Sequence, residues 1–317
     1  MKYGAYLIGL GLLSALVMLS LVTGVTRMSL IDLWHDAEMR EILFVSRFPR
    51  TVALVLAGSA MSVAGQIMQM LTQNRFVEPS VVGTTQSASL GLLLVWYPAA
   101  PVIVKMCIAS LFALAGTVLF MLLIQRIRQK SAFIVPLAGI MLGAVFSSVT
   151  TFLGMQFDIL QSLGSWESGD FSSVMQGRYE LIWIVGLITL LAALIADRFT
   201  VAGLGQDFSV NVGLNYRQIQ LTGMAMIAIV SGVVIVVVGV LPFLGLVVPN
   251  IVSMIFGDNL RRTVPWVAMT GAILVLSCDI LGRLIIYPFE VPVSALLGVL
   301  GAAVFLVLII RGRRYGN

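Results

Sequence analysis

Four charged side chains have a spacing in this sequence that could carry a function. Arg47 and Arg50 flank a Phe-Pro dipeptide at the start of a long apolar stretch, and Asp279 and Arg283 lie four residues apart inside another. A separation of four residues places two side chains on the same face of a helix, so we expect the Asp279 carboxylate to pair with Arg283. Arginines at the end of a membrane-spanning segment either bind an acidic partner or anchor the helix end at the lipid headgroups, and both roles stay open here.

Motifs for enzymatic chemistry are absent from the sequence. It contains no glycine-rich phosphate loop, no dinucleotide-binding fingerprint, no zinc-protease helix and no nucleophile elbow. The one histidine, His35, lies in a polar stretch, and the two cysteines, Cys107 and Cys278, lie in apolar stretches without a second thiol nearby. The sequence therefore predicts neither an enzyme nor a metal or cofactor site.

The elements that must hold these residues are membrane helices. Of the 317 residues, 59% are hydrophobic and 10% are charged, and the mean hydropathy of +1.05 excludes a soluble globular protein. Because a helix needs about 20 apolar residues to cross about 30 Å of hydrocarbon, the composition predicts an all-α, polytopic membrane protein with about ten transmembrane helices. We expect one transmembrane domain, residues 1–317. The apolar stretches lie near residues 5–25, 51–71, 80–97, 101–124, 133–156, 181–197, 219–240, 243–256, 264–286 and 292–310.

Basic residues are distributed unevenly between the two sides of this arrangement. Twelve of the 19 lysines and arginines fall on the side that holds both chain ends, and basic connections stay in the cytoplasm. We therefore expect both termini to be cytoplasmic. At about 1.5 Å per residue, Asp279 lies about 24 Å and Arg283 about 30 Å from the inner surface, so that Arg283 emerges at the same outer level as Arg47 and Arg50.

A polar stretch, residues 197–218, lies on the expected inner side. It is too polar to span a membrane, and Gly203, Gly205 and Gly213 interrupt it, which predicts two short helices joined by a glycine turn. Because it is longer than most connections between neighbouring spans, it is a candidate docking surface, although an ordinary connecting loop gives the same pattern.

Several short motifs follow one another in order along nearly the whole chain. In the first third they are Arg47-Phe48-Pro49-Arg50, Ala57-Gly58, Gly65-Gln66-x-x-Gln69 and Asn74-x-x-x-x-Pro79-x-x-x-Gly83. In the last third they are Phe243-Leu244-Gly245-Leu246-Val247-Val248-Pro249, Asp279, Arg283 and Glu290-Val291-Pro292. Together they resemble the permeases of ATP-binding cassette (ABC) importers that move ferric siderophores, heme and vitamin B12.

This resemblance implies a type II ABC importer permease that dimerises with an identical or a paralogous subunit. It further implies a separate cytoplasmic ATP-binding subunit that hydrolyses ATP, and a periplasmic or lipoprotein substrate-binding protein on the outer side. The ATPase-contacting helices correspond to residues 199–218, and the inner gate region to Ser131 and Ala132. The docking arginines of the family correspond to Arg47, Arg50 and Arg283. The ATPase coupling residues correspond to Gly203, Leu204, Gly205, Gln206, Asp207 and Gly213.

The resemblance also gives an expected cargo and location. Pro249-Asn250 followed by Gly257-Asp258-Asn259 is most similar to the branch that imports ferric catecholate siderophores, with heme or vitamin B12 as the alternative cargo. An ion-coupled secondary transporter is a further alternative, but it requires an unpaired acid inside the membrane, whereas Asp279 is expected to be paired. A membrane-embedded enzyme is a weaker one, because no catalytic motif is present. The expected location is the bacterial cytoplasmic (inner) membrane.

Overall fold

The computed structural model describes residues 2–24, 37–96, 100–127, 133–177 and 179–312, and the regular elements in these ranges are all helical. A π-helical turn, Leu43–Arg47, joins α2 to α3, and a short 3₁₀ helix, Glu180–Ile182, precedes α8. The α-helices of the described ranges are α1 (Lys2–Val22), α2 (Ala37–Ile42), α3 (Phe48–Thr72), α4 (Thr84–Leu94), α5 (Val102–Arg126), α6 (Ile134–Gln156), α7 (Leu160–Glu167), α8 (Trp183–Leu194), α9 (Ala196–Ala202), α10 (Gln206–Asn211), α11 (Tyr216–Val237), α12 (Leu244–Phe256), α13 (Leu260–Ile285) and α14 (Val293–Gly312).

The predicted all-helical membrane fold is confirmed, and each predicted apolar stretch corresponds to a helix. In the described part of the chain, six helical segments are long and apolar enough to cross a membrane, and α8 with α9 counts as a seventh that is bent by 65°. The segments Leu244–Phe256 and Val293–Val307 are apolar but shorter, and α4 has only 11 residues. Ten apolar stretches therefore do not make ten full-length straight helices, because a crossing takes about 20 residues.

Helix α3 lies at the centre of the bundle and is buried along most of its length. Proline at its start, Pro49, suits the first helical turn, where a backbone N–H has no partner to lose. Two glycines let neighbouring backbones approach it closely. A Cβ atom at Gly58 would lie 2.8 Å from the carbonyl oxygen of Gly271 in α13, and one at Gly65 would overlap Gly245 in α12.

Helix α12 begins in the interior of the bundle. Gly245, in its first turn, packs against Gly65, which lies seven residues before the end of α3. The chain between α3 and α4 re-enters the bundle at this level and brings Glu78 to the start of α12. Irregular backbone at membrane depth is tolerated only where protein covers it, and here α3 and α12 provide that cover.

Candidate functional site

A cluster of buried charges lies at one end of the bundle, which we call the arginine end. Arg50, near the start of α3, donates to Asp279 Oδ1 on α13 from Nη2 at 2.7 Å and from Nε at 3.1 Å. The same Nη2 lies 2.8 Å from Glu290 Oε2 in the connection between α13 and α14. Asp279 also pairs with Arg283 one helical turn further along α13, as the spacing predicts. One fully buried carboxylate thus holds two guanidinium groups.

Two arginines of this cluster, Arg47 and Arg283, also contact the end of α1. Arg47 Nη1 donates to the carbonyl oxygens of Leu21 at 2.9 Å and Val22 at 2.7 Å. Arg283 Nη1 donates to the carbonyls of Ser20 at 3.1 Å and Thr23 at 2.7 Å, and its Nη2 donates to Ser20 Oγ at 2.8 Å. The last carbonyls of a helix lack partners within the helix and carry a partial negative charge, so two arginines stabilise this helix end.

The three predicted docking arginines therefore meet in one place, but their accessibility differs. Arg47 and Arg283 are buried, with 7% and 6% of each whole residue exposed, and the Arg283 side chain is 5% exposed. The side chains of Arg50 and its partner Glu290 are 13% and 28% exposed. Among the described residues, these contacts join three arginines and two acids, a difference of one positive charge. Glu290 belongs to the motif Glu290-Val291-Pro292, but no local sequence pattern indicates its contact with Arg50.

The polar stretch lies at the opposite end of the bundle. It forms two short helices, α9 and α10, joined at Gly203, Leu204 and Gly205, as predicted. Gly205 has φ +109° and Gly213 has φ +84°, which only glycine adopts without strain. The side chains with exposed apolar surface in this segment are Leu204, Phe208, Val210 and Val212. Gln206 and Asp207, in the first turn of α10, are also exposed.

Three polar contacts join this segment to α3 and α13. Asp197 pairs with Arg261 at 2.9 Å, and the backbone N–H of Leu260 donates to Thr200 Oγ1 at 3.1 Å. Gln73, directly after α3, donates through Nε2 to the carbonyl of Gly203 at 3.3 Å. The helices that carry Arg50 and Asp279 at the arginine end therefore contact the polar segment at their other ends.

A cavity of about 430 Å³ lies beside these contacts, between the end of α3, α9 and the end of α12, and polar residues are frequent among those that line it. Gln66 and Gln69 line it, and each holds a neighbouring helix. Gln66 Nε2 donates to Thr263 Oγ1 at 2.7 Å, and Gln69 Nε2 to the Gly245 carbonyl at 3.2 Å. The exposed pair of Arg75 and Asp258, 2.6 Å apart, lies at its edge. These contacts agree with a packing role for both glutamines.

A buried acid, Glu78, lies at the start of α12, and the sequence analysis did not predict it. Glu78 is 1% exposed and accepts a hydrogen bond from the backbone N–H of Phe243 at 2.8 Å, at the start of α12, and another from Ser80 Oγ. The Glu78 carboxylate thus accepts from the N-terminus of α12. Because Glu78 and Phe243 are 165 residues apart, no local sequence pattern could reveal this contact.

The predicted gate residues Ser131 and Ala132 lie outside the described residues. The described residues contain no group of three His, Cys, Asp or Glu side chains that could hold a metal ion.

Comparison with known proteins decides the family. The model of the FecCD transport family matches residues 12–311, almost the whole chain. The chain belongs to the FecCD transport family. The petrobactin import system permease protein of Bacillus anthracis is 45% identical over 98% of this chain and 92% of its own length. The ferric-anguibactin transport system permease protein of Vibrio anguillarum is 39% identical over 86% of this chain and 87% of its own.

The fold has a close match among solved structures. A metal-chelate type ABC transporter in an inward-facing conformation superimposes with a TM-score of 0.82, at 21% identity, over 96% of this chain and 99% of that one. The chain is thus a multi-pass membrane protein with the fold of a type II ABC importer permease. As a member of this transport family it is a transport component and not itself a catalyst.

Proposed function

We propose that this protein is the permease subunit of an ABC importer that carries a ferric siderophore, of the catecholate type, across the cytoplasmic membrane. The observation that carries this proposal is the 45% identity, over nearly both full lengths, to a permease named for petrobactin import. A second permease named for another siderophore, ferric anguibactin, supports the same class of cargo. The partners are an ATP-binding subunit, a substrate-binding protein and a second permease subunit, identical or paralogous.

In this proposal the arginine end faces outward and docks the substrate-binding protein. Basic residues collect on the other side of the membrane, which supports this orientation and cytoplasmic termini. The excess positive charge of the cluster at Arg47, Arg50 and Arg283 supports an acidic partner surface, because complementary charge speeds and orients docking.

Within the polar stretch, residues 199–218 correspond to the ATPase-contacting helices, and we propose that they receive the motion of the ATPase. The exposed apolar side chains of this polar segment, Leu204 and Phe208 among them, would be covered by a partner in the assembled importer. Its contacts with Gln73 and Leu260 lie directly at the ends of α3 and α13, so a shift of the segment moves both helices. The gate at Ser131 and Ala132 is proposed on the family resemblance.

Import in a reconstituted system tests the proposal. We expect proteoliposomes that hold the permease with the ATP-binding subunit and the substrate-binding protein of the same source to take up ⁵⁵Fe-labelled ferric petrobactin when ATP is enclosed. Uptake should stop when ATP, the ATPase or the binding protein is omitted, and labelled hemin and vitamin B12 should serve as control cargo. Uptake by the permease alone, driven by a proton or sodium gradient, would instead identify a secondary transporter.

A further inference from the structure

The three clustered arginines are not equivalent. Arg47 and Arg283 both donate to carbonyls at the end of α1, and Arg283 also pairs with the fully buried Asp279. Within the described part of the chain, Arg50 donates no hydrogen bond to α1, and Asp279 and Glu290 hold it instead. Of these two acids Asp279 is inaccessible, whereas the side chain of Glu290 is 28% exposed.

The backbone beside Glu290 is anchored to α13. The connection that carries Glu290 is fixed at the next residue, because the backbone N–H of Val291 donates to the Gly282 carbonyl at 3.0 Å. Gly282 permits this approach, since a Cβ atom there would lie 2.5 Å from the Val291 oxygen. With the backbone anchored there, rotation of the partly exposed Glu290 side chain is the movement that would open its contact with Arg50.

The Arg50 guanidinium group has the geometry to bind a carboxylate in addition to that of Asp279. Its Nε and Nη2 face Asp279, and its Nη1 has no hydrogen-bond partner among the described residues. A guanidinium group binds a carboxylate best through two parallel N–H donors. With Glu290 withdrawn, Nη1 and Nη2 form such a pair on a side chain that is 13% exposed.

We propose that Arg50 is the one arginine of the cluster that binds a carboxylate of the substrate-binding protein, and that Glu290 holds this position between docking events as an internal competitor. The inference rests on the proposed function, since it requires a docking partner with an acidic surface. Exchange of one carboxylate for another leaves Arg50 paired in both states, so neither state contains an isolated buried charge. Docking is then reversible without loss of the cluster.

Binding measurements on the permease complex in phosphatidylcholine nanodiscs test the exchange. The ligand is the soluble domain of the substrate-binding protein that supports import in the reconstituted system. We expect Glu290→Gln, which removes the competing charge, to tighten docking by about two- to fivefold, the range for one exposed ion pair. Glu290→Asp, which keeps the charge on a shorter side chain, should give a smaller gain.

Glu180→Gln is the matched control. Glu180 is exposed and precedes α8, in a stretch tied to the arginine end by the hydrogen bond from Gln176 N to Val45 O. This variant removes the same unit of charge from the same end, so it measures the general effect of charge on docking. Arg50→Gln should weaken docking, and thermal unfolding of each complex shows whether the variant is folded.

The possible outcomes separate the inference from the proposed function. If Arg50→Gln weakens docking but both Glu290 variants bind like wild type or Glu180→Gln, Glu290 is no competitor and the exchange is wrong. If Glu290→Gln weakens docking, Glu290 itself contacts the partner, and the exchange is again wrong. If import depends on the binding protein but Arg50→Gln docks normally, the importer assignment stands. Arg50 is then not the docking residue, and the proposed exchange with Glu290 is wrong.

Discussion

At the scale of the residue, Asp279 determines whether the arginine cluster is stable. It is the fully buried acid that Arg50 and Arg283 share, and its removal leaves two buried guanidinium groups without their common partner. Loss of one partner from a buried pair costs more than the pair itself contributes, because the remaining charge stays desolvated.

We therefore expect Asp279→Asn to reduce the free energy of unfolding by about 3–5 kcal/mol. Thermal unfolding of the purified permease measures the loss. Asp258→Asn is the control, since Asp258 pairs with Arg75 on the exposed surface and its loss should cost no more than about 1 kcal/mol. A double variant, Asp279→Asn with Arg283→Met, should lose less than the sum of the two single losses. Equal effects of Asp279→Asn and Asp258→Asn would contradict this account.

Glu78 gives a second prediction at the residue scale. Alanine at this position removes the acceptor of the partly buried Phe243 N–H, so Glu78→Ala should cost about 1–3 kcal/mol of stability. Glu78→Gln keeps one carbonyl acceptor and should cost less. The comparison variant is Glu41→Ala in α2, whose side chain is exposed. If Glu78→Ala and Glu41→Ala had the same thermal stability, α12 would not depend on the contact of Glu78 with Phe243.

At the scale of the element, what the sequence could predict depends on how local each interaction is. The pair of Asp279 and Arg283 follows from a spacing of four residues, and the helices follow from continuous apolar stretches. The short helix α12 and the re-entrant chain before α4 do not, because they depend on contacts such as Glu78 with Phe243 between distant segments. The contact of Arg50 with Glu290 was missed for the same reason.

The glycine turn between α9 and α10 carries a prediction about energy transfer. Gly205 has φ +109°, and its N–H donates to the Ala202 carbonyl at 3.1 Å. Proline fixes φ near −65° and has no N–H, so Gly205→Pro should re-aim α10. We expect this variant to fold and to dock the binding protein, but to lose substrate-stimulated ATPase activity in the assembled complex.

Gln206→Pro provides the control for this turn. Position 206 is the first residue of α10, where proline is tolerated because its N–H has no partner within the helix. The control should keep stimulated ATPase activity near the wild-type value. Normal stimulation in Gly205→Pro would mean that the ATPase acts on the permease through another segment.

At the scale of the whole molecule, two central helices connect the ends of the bundle. Arg50 lies in the first turn of α3, and this helix ends next to Gly203; α13 begins beside Thr200 and ends at the arginine cluster. Both helices are in close contact through Gly58 and Gly271, so they are expected to shift together. Such a pair can couple a nucleotide-driven movement at one end to docking at the other.

The proposed coupling requires that the arginine end faces outward and the polar segment faces the cytoplasm. Labelling of single cysteines tests this orientation. In a background without Cys107 and Cys278, Gln176→Cys at the arginine end and Asn211→Cys at the end of α10 both place a thiol at an exposed position. An impermeant maleimide should label Gln176→Cys in intact spheroplasts. It should label Asn211→Cys only after permeabilisation, because the basic side of the protein stays in the cytoplasm. The reverse pattern would place the polar segment outside, where no ATPase could reach it, and would overturn both the orientation and the proposed coupling.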